Sequence, residues 1–90
     1  MLLVHLLKWH LQRSRRSRAW HATIVTQRQE IEDLLEQSPS LRPKLASALN
    51  KNYARAVQRA RAETGLGRGR FSSDCPFTFD QILDPEFLPR

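Results

Sequence analysis

Leu2-Leu3-Val4-His5-Leu6-Leu7-Lys8-Trp9-His10-Leu11 is the stretch on which the fold turns. At about 100° per residue, this run sets His5, Lys8 and the following Gln12 on one narrow polar strip, and Leu2, Leu3, Leu6, Leu7, Trp9 and Leu11 cover the remainder. The pattern is helical. An apolar arc of that width needs neighbours on two sides, and it presents more greasy surface than so short a chain is expected to shelter. His10 falls inside the arc, where a neutral, hydrogen-bonded core histidine is the expectation.

The run stops far short of the ~20 apolar residues of a membrane span, and it has neither the basic start nor the cleavage site of a secretory signal. Residues 1–29 are arginine-rich and free of acid, a composition that transit peptides share, but helical periodicity continues through them. Cys75 is the only cysteine among 90 residues, so no internal disulfide can form and a reducing cytoplasm is the expected location.

Working outward, Ser17 is placed to cap a second helix that runs to about Gln37, with Trp20, Ile24, Ile31, Leu34 and Leu35 on one stripe. Gln27 sits in the middle of that stripe and must find a partner or reach water. Ser38-Pro39-Ser40 interrupts the chain. With Ser40 as cap, Pro43 falls in the first turn of a third helix, where its missing N–H costs nothing. That helix is expected to run unbroken to about Glu63, roughly 35 Å at 1.5 Å per residue, and to close at Gly65. Leu41, Leu45, Leu49, Tyr53, Ala56 and Ala60 form its core stripe.

Residues 65–73, with Gly65, Gly67 and Gly69, read as a flexible connector. Thr78-Phe79-Asp80-Gln81 then has the form of a capping box, flanked by Phe77 and Ile82 as a hydrophobic staple, and Pro85 ends the short helix that follows. Phe87 and Leu88 are placed to anchor the tail. The expected fold is a small all-α bundle of three main helices plus a short C-terminal helix, one domain over residues 1–90.

Charge is laid down in blocks. Residues 1–28 carry Lys8, Arg13, Arg15, Arg16, Arg18 and Arg28 without an acid, and residues 29–40 carry Glu30, Glu32, Asp33 and Glu36 without a base. Residues 41–72 are again basic, residues 73–90 mostly acidic, and the formal net charge is +6. Arginines at the start of the second helix and acids towards its end oppose the helix dipole, at roughly 0.3–1 kcal/mol for each charge near a terminus. An antiparallel third helix would bring Arg42 and Lys44 to the acidic end. The arginine end would find only Glu63 and the acidic tail.

Catalytic and ligand motifs are missing. His5, His10 and His21 do not share the three- or four-residue spacing of metal ligands, and Gly65-Leu66-Gly67-Arg68-Gly69 has no preceding strand to shape a phosphate loop. Nothing pairs a nucleophile with a base, so no enzyme, metal or cofactor is expected, and no small-molecule substrate is identified. Two surfaces remain. Arg13, Arg15, Arg16 and Arg18, with Lys44, Lys51, Arg55 and Arg59 along one edge of the third helix, form a candidate basic surface of the kind that follows a phosphate backbone. Leu3, Leu6, Leu7, Trp9 and Trp20 form a candidate helix-packing surface.

The run His5-Leu6-Leu7-Lys8-Trp9, then Arg16-Ser17-Arg18-Ala19-Trp20 with Thr23-Ile24 and Gln27-Arg28, resembles the bacterial family catalogued as domain of unknown function 29. Ser38-Pro39-Ser40-Leu41, Glu63-Thr64-Gly65-Leu66, Cys75-Pro76-Phe77-Thr78 and Gln81-Ile82-Leu83 continue the likeness in order along the whole chain. The resemblance implies a helical fold and supplies no catalytic residues. Members usually begin with further helices, including an acidic segment, so it also implies that residues 1–90 are the C-terminal part of a larger family domain. From the wide apolar arc and the unbalanced arginines, the expected function is a non-enzymatic interaction module. Its partner is an acidic helix or a second copy, with sequence-tolerant nucleic-acid binding as the alternative.

Overall fold

Helix α1, Leu2–Leu11, is the axis of the fold in the computed structural model, which describes residues 2–90. It is followed by a 3-10 turn at Arg13–Arg15, then α2 at Arg18–Gln37, α3 at Leu41–Ser47, α4 at Leu49–Thr64, a second 3-10 turn at Arg68–Arg70 and α5 at Phe79–Leu83. There is no strand among the described residues, and the fold is all-α. Lys8, near the end of α1, reaches both Glu63 at the end of α4 and the Trp20 ring near the start of α2. Helix α1 therefore runs parallel to α4 and antiparallel to α2, packed between them.

The wide apolar arc does have neighbours on two sides, and all of them belong to this chain. Val4, Leu6 and Leu7 are at most 2% exposed, closed in by Ile24 of α2 and by Tyr53, Ala56, Val57 and Ala60 of α4. A third neighbour supplies the cover that the helical periodicity did not reveal. Phe71, Phe77 and Ile82 are buried with α1, and Phe87 and Leu88 pack on the same cluster. The expectation that α1 exceeds what the chain can shelter is thus corrected: residues 71–90 return to it and act as a lid.

That return is fixed by polar contacts at both ends. His10 Nδ1 lies 3.0 Å from the Arg90 carbonyl, and its ring meets the edge of Phe77 at 6.0 Å; the histidine is hydrogen-bonded as expected, but half-buried at the surface and not in the core. Arg16 donates to the carbonyls of Trp9 (2.8 Å) and Pro89 (3.1 Å), clamping the tail to the end of α1. Residues 65–73, read as a flexible connector, are mostly exposed but are tied to the bundle at three points. Phe71 is buried, Tyr53 Oη donates to the Ser72 carbonyl at 2.8 Å, and Gly65 takes the left-handed conformation (φ 75°) that closes α4.

Local signals behave as their chemistry predicts. Ser17 Oγ accepts from the Trp20 N–H at 3.1 Å, and Thr78 and Gln81 form the reciprocal capping box, with Phe77 and Ile82 both buried beside it. The unbroken 35 Å helix is corrected. Ser40 precedes α3 without a side-chain cap bond, and Ala48 leaves helical geometry (φ −88°, ψ 2°), dividing the segment into α3 and α4. The Ser47 hydroxyl donates back to the Lys44 carbonyl at 3.0 Å, a local bond that competes with the helical ladder and favours a bend. The elbow sets Leu45 and Leu49 around the open end of the bundle, next to Leu2 and Leu3.

Candidate functional site

Where α1 begins, the bundle stays open. An apolar cleft of about 320 Å³ enters between α2 and the α3–α4 elbow, lined by Leu2, Leu3, Ile31, Leu45, Leu49 and Phe79 and by Ile82 and Leu83 behind them. Asn52 and Arg55 form its edge on α4. Lys51 and Arg59 flank Arg55 at four-residue steps on the same face of α4, and of the cationic ridge expected from sequence Arg55 is the member that lines this cleft. On α2, Leu34 and then Glu30 follow Ile31 around the helix at steps of about 60° and 40°, whereas Asp33 lies about 160° from Ile31, away from the cleft. Leu34 is 46% exposed, and the neighbouring Glu30 is exposed as well.

The far end of this front face is closed by polar contacts. Lys8 Nζ sits 4.8 Å from the Trp20 ring centre and bonds Glu63 at 3.2 Å, and Glu63 also accepts from Arg59 at 2.9 Å. The Arg59 bond, followed by the Lys8 bond, holds the Glu63 carboxyl below its ordinary value of 4.5. A carboxylate with a depressed pKa stabilises the fold at pH above its ordinary value, and that contribution is lost as pH falls through the lowered one. Thermal midpoints should therefore drop on acidification below about pH 4.5, and Glu63→Gln should remove part of that drop while lowering the midpoint at neutral pH. An unchanged acid slope in the variant would contradict the assignment.

Gln27 found no partner. Its Oε1 is buried without a hydrogen bond, an arrangement that costs about 1–3 kcal/mol relative to a satisfied acceptor. Gln27→Leu should accordingly stabilise the protein by about 1 kcal/mol, read as a rise of roughly 4–8 °C in thermal midpoint. A fall in the midpoint would show that the amide is needed there.

The eight basic residues singled out from sequence do not form one surface. Arg16 is internal to the structure, bonded to Trp9 and Pro89 carbonyls with its guanidinium 5.0 Å from the Trp9 ring centre. Arg59 is paired with Glu63, and Lys44 stands on α3 at the end of the molecule opposite Arg13 and Arg15. The candidate packing surface also divides. Leu6 and Leu7 are fully used inside the core, whereas Leu3, Trp9 and Trp20 are half-buried.

The acidic end of α2 does meet Arg42, which lines one concavity with Glu32 and Glu36, but the ion pair of Arg42 is with Asp80 at 3.0 Å, and its guanidinium covers the Phe79 ring. Glu30, Glu32, Asp33 and Glu36 make no ion pair among the described residues. Arg13 and Arg15 are exposed, likewise unpaired among the described residues, and line an open concavity of about 560 Å³ together with Arg70. Sequence reasoning placed Arg70 in a connector and had no signal for its return to this end.

Arg28 was also missed. It is 5% exposed, and its Nε donates to the Ile82 carbonyl at 2.8 Å while an Nη reaches the Gln81 carbonyl at 3.4 Å. Both carbonyls lie at the end of α5, and the Gln81 carbonyl also accepts the Asp84 N–H at 3.3 Å, so a cation from α2 caps α5. Burial lowers the Arg28 pKa and nearby Asp84 opposes that effect. The only hint in sequence is one helical turn: Arg28 lies four residues after Ile24, on the buried face.

The model of the family described as Domain of unknown function DUF29 matches residues 1–88. The chain belongs to that family. No curated protein and no solved structure matches it. The description DUF29 assigns no chemistry to any residue of the chain. What this DUF29 chain offers a ligand therefore has to be read from its surfaces. Among the described residues, no group of three His, Cys, Asp or Glu side chains is placed to hold a metal ion, and no helix is long and apolar enough to cross a membrane.

Proposed function

We propose that the protein is a non-enzymatic helical interaction module that pairs with a second copy of itself through the cleft between α2 and the α3–α4 elbow. The carrying observation is that this cleft has an apolar lining with a basic residue on its α4 edge and an acidic residue on the α2 surface beside it. Its lining holds Leu2, Leu3, Ile31, Leu45 and Leu49 with Arg55 on α4, where Lys51 lies one helical turn away, and on α2 the exposed Leu34 and Glu30 follow Ile31 around the helix. An acidic helix from an unrelated partner would suit the α4 side and be repelled by the α2 side. A second copy related by a two-fold axis suits both, because each acidic α2 then faces the other copy's basic α4. The acidic helical partner is thus present in the chain itself.

The lone half-buried thiol suits a reducing compartment, and we place the protein in the cytoplasm. Light scattering across a dilution series tests the pairing: a dimer at high concentration that dissociates on dilution is the expected result, and a monomer throughout overturns it.

A further inference from the structure

The two 3-10 turns lie far apart in sequence and meet at one end of the molecule. Arg13 and Arg15 from the first and Arg70 from the second line the same open concavity, with Ser14 and Gln12 between them and Leu11 and Leu66 as an apolar floor. No acidic residue lines it, and none of the three guanidiniums has an ion-pair partner among the described residues. His10, also in the lining, holds the Arg90 carbonyl, which brings a fourth arginine to the same end.

Like charges gathered at one place repel each other, and they persist here because their backbones are fixed from beneath. The first turn is anchored by Arg16, clamped to the Trp9 and Pro89 carbonyls, and the second by buried Phe71, whose carbonyl accepts from Arg68 at 3.3 Å. Such a site is preorganised for an anion, since binding relieves the repulsion without reordering the chain. The planar guanidinium fork matches phosphate oxygens, and two apolar leucines between the arginines offer cover for a sugar or base face.

We infer that this arginine end binds the phosphate backbone of a single nucleic-acid strand, with Arg13, Arg15 and Arg70 as the contacts. Several arginines spread round a wide mouth suit a chain of phosphates better than one phosphoryl group. The site is separate from the self-pairing cleft, so either can fail without the other.

Fluorescence anisotropy with a labelled oligothymidylate at low salt tests it. Binding is expected, with a log–log salt slope of about −2 from three phosphate contacts at roughly −0.7 each. The double variant Arg13→Glu/Arg70→Glu should weaken binding by about tenfold or more, whereas Lys44→Glu, at the opposite end, should change it less than about twofold. All these side chains are exposed, and unchanged thermal midpoints confirm that each variant is folded. Three results would each overturn the inference: no binding at low salt, equal loss in the Lys44 variant, or displacement of the strand by polyglutamate or by inorganic phosphate at matched charge concentration.

Discussion

Replacing Arg28 with alanine is expected to destabilise the protein by about 2–4 kcal/mol, lowering the thermal midpoint by roughly 10–20 °C. The cost has two sources. Removing the guanidinium deletes charge-assisted bonds to the Ile82 and Gln81 carbonyls, and it leaves the Ile82 carbonyl without its buried donor. Ile82 is itself 5% exposed and belongs to the cover over α1, so loosening α5 uncovers Leu2 and Leu3 as well. Arg28→Met, which keeps most of the volume, should lose nearly as much as alanine, and Arg28→Lys should recover only part because it lacks the planar fork. If methionine instead restored full stability, packing rather than carbonyl capping would be the role of Arg28.

The second large effect concerns Leu34. Nearly half of this leucine is exposed on the α2 side of the cleft, so Leu34→Arg should leave monomer stability within about 0.5 kcal/mol while placing a charge at the centre of the proposed interface. Dimer dissociation should shift by at least about tenfold, since a buried unpaired charge at an interface costs 2 kcal/mol or more. Leu6→Ala, by contrast, removes a side chain that is wholly buried within one copy and should unfold the protein without a specific effect on pairing. Equal behaviour of the two variants in light scattering would mean that Leu34 contributes to the fold and not to an interface.

What could be read from the sequence is what is local. Ser17, the Thr78–Gln81 box and Gly65 act on backbone groups within a few residues of themselves, and each appears in the structure in its expected role. The α2 boundaries followed from the same logic. The helical wheel also gave α1 its two-sided demand for neighbours.

Identifying those neighbours was beyond a wheel, because Phe71, Phe77 and Phe87 reach α1 only through the path of the chain after Gly65. The bend at Ala48 was hidden for a different reason. Serine and alanine are ordinary helix residues, and the Ser47 bond to Lys44 takes effect only once packing favours an elbow. Charge was the least legible property. The arginines of residues 13–18 look alike in sequence, yet Arg16 is spent on carbonyls inside the fold while Arg13 and Arg15 stay outside beside Arg70. Likewise the acidic end of α2 keeps its charge unpaired, because Arg42 turns to Asp80.

A charge-exchange pair tests the self-complementary cleft most directly. Glu30→Lys makes the α2 side basic like the α4 side, and Lys51→Glu/Arg55→Glu makes both acidic, so each variant alone should sediment as a monomer. Mixed together, every basic side meets an acidic one, and equimolar samples should form a one-to-one heterodimer at concentrations where neither associates by itself. Failure of the mixture to associate, or unimpaired dimers of each variant alone, would contradict pairing through the α2–α4 walls.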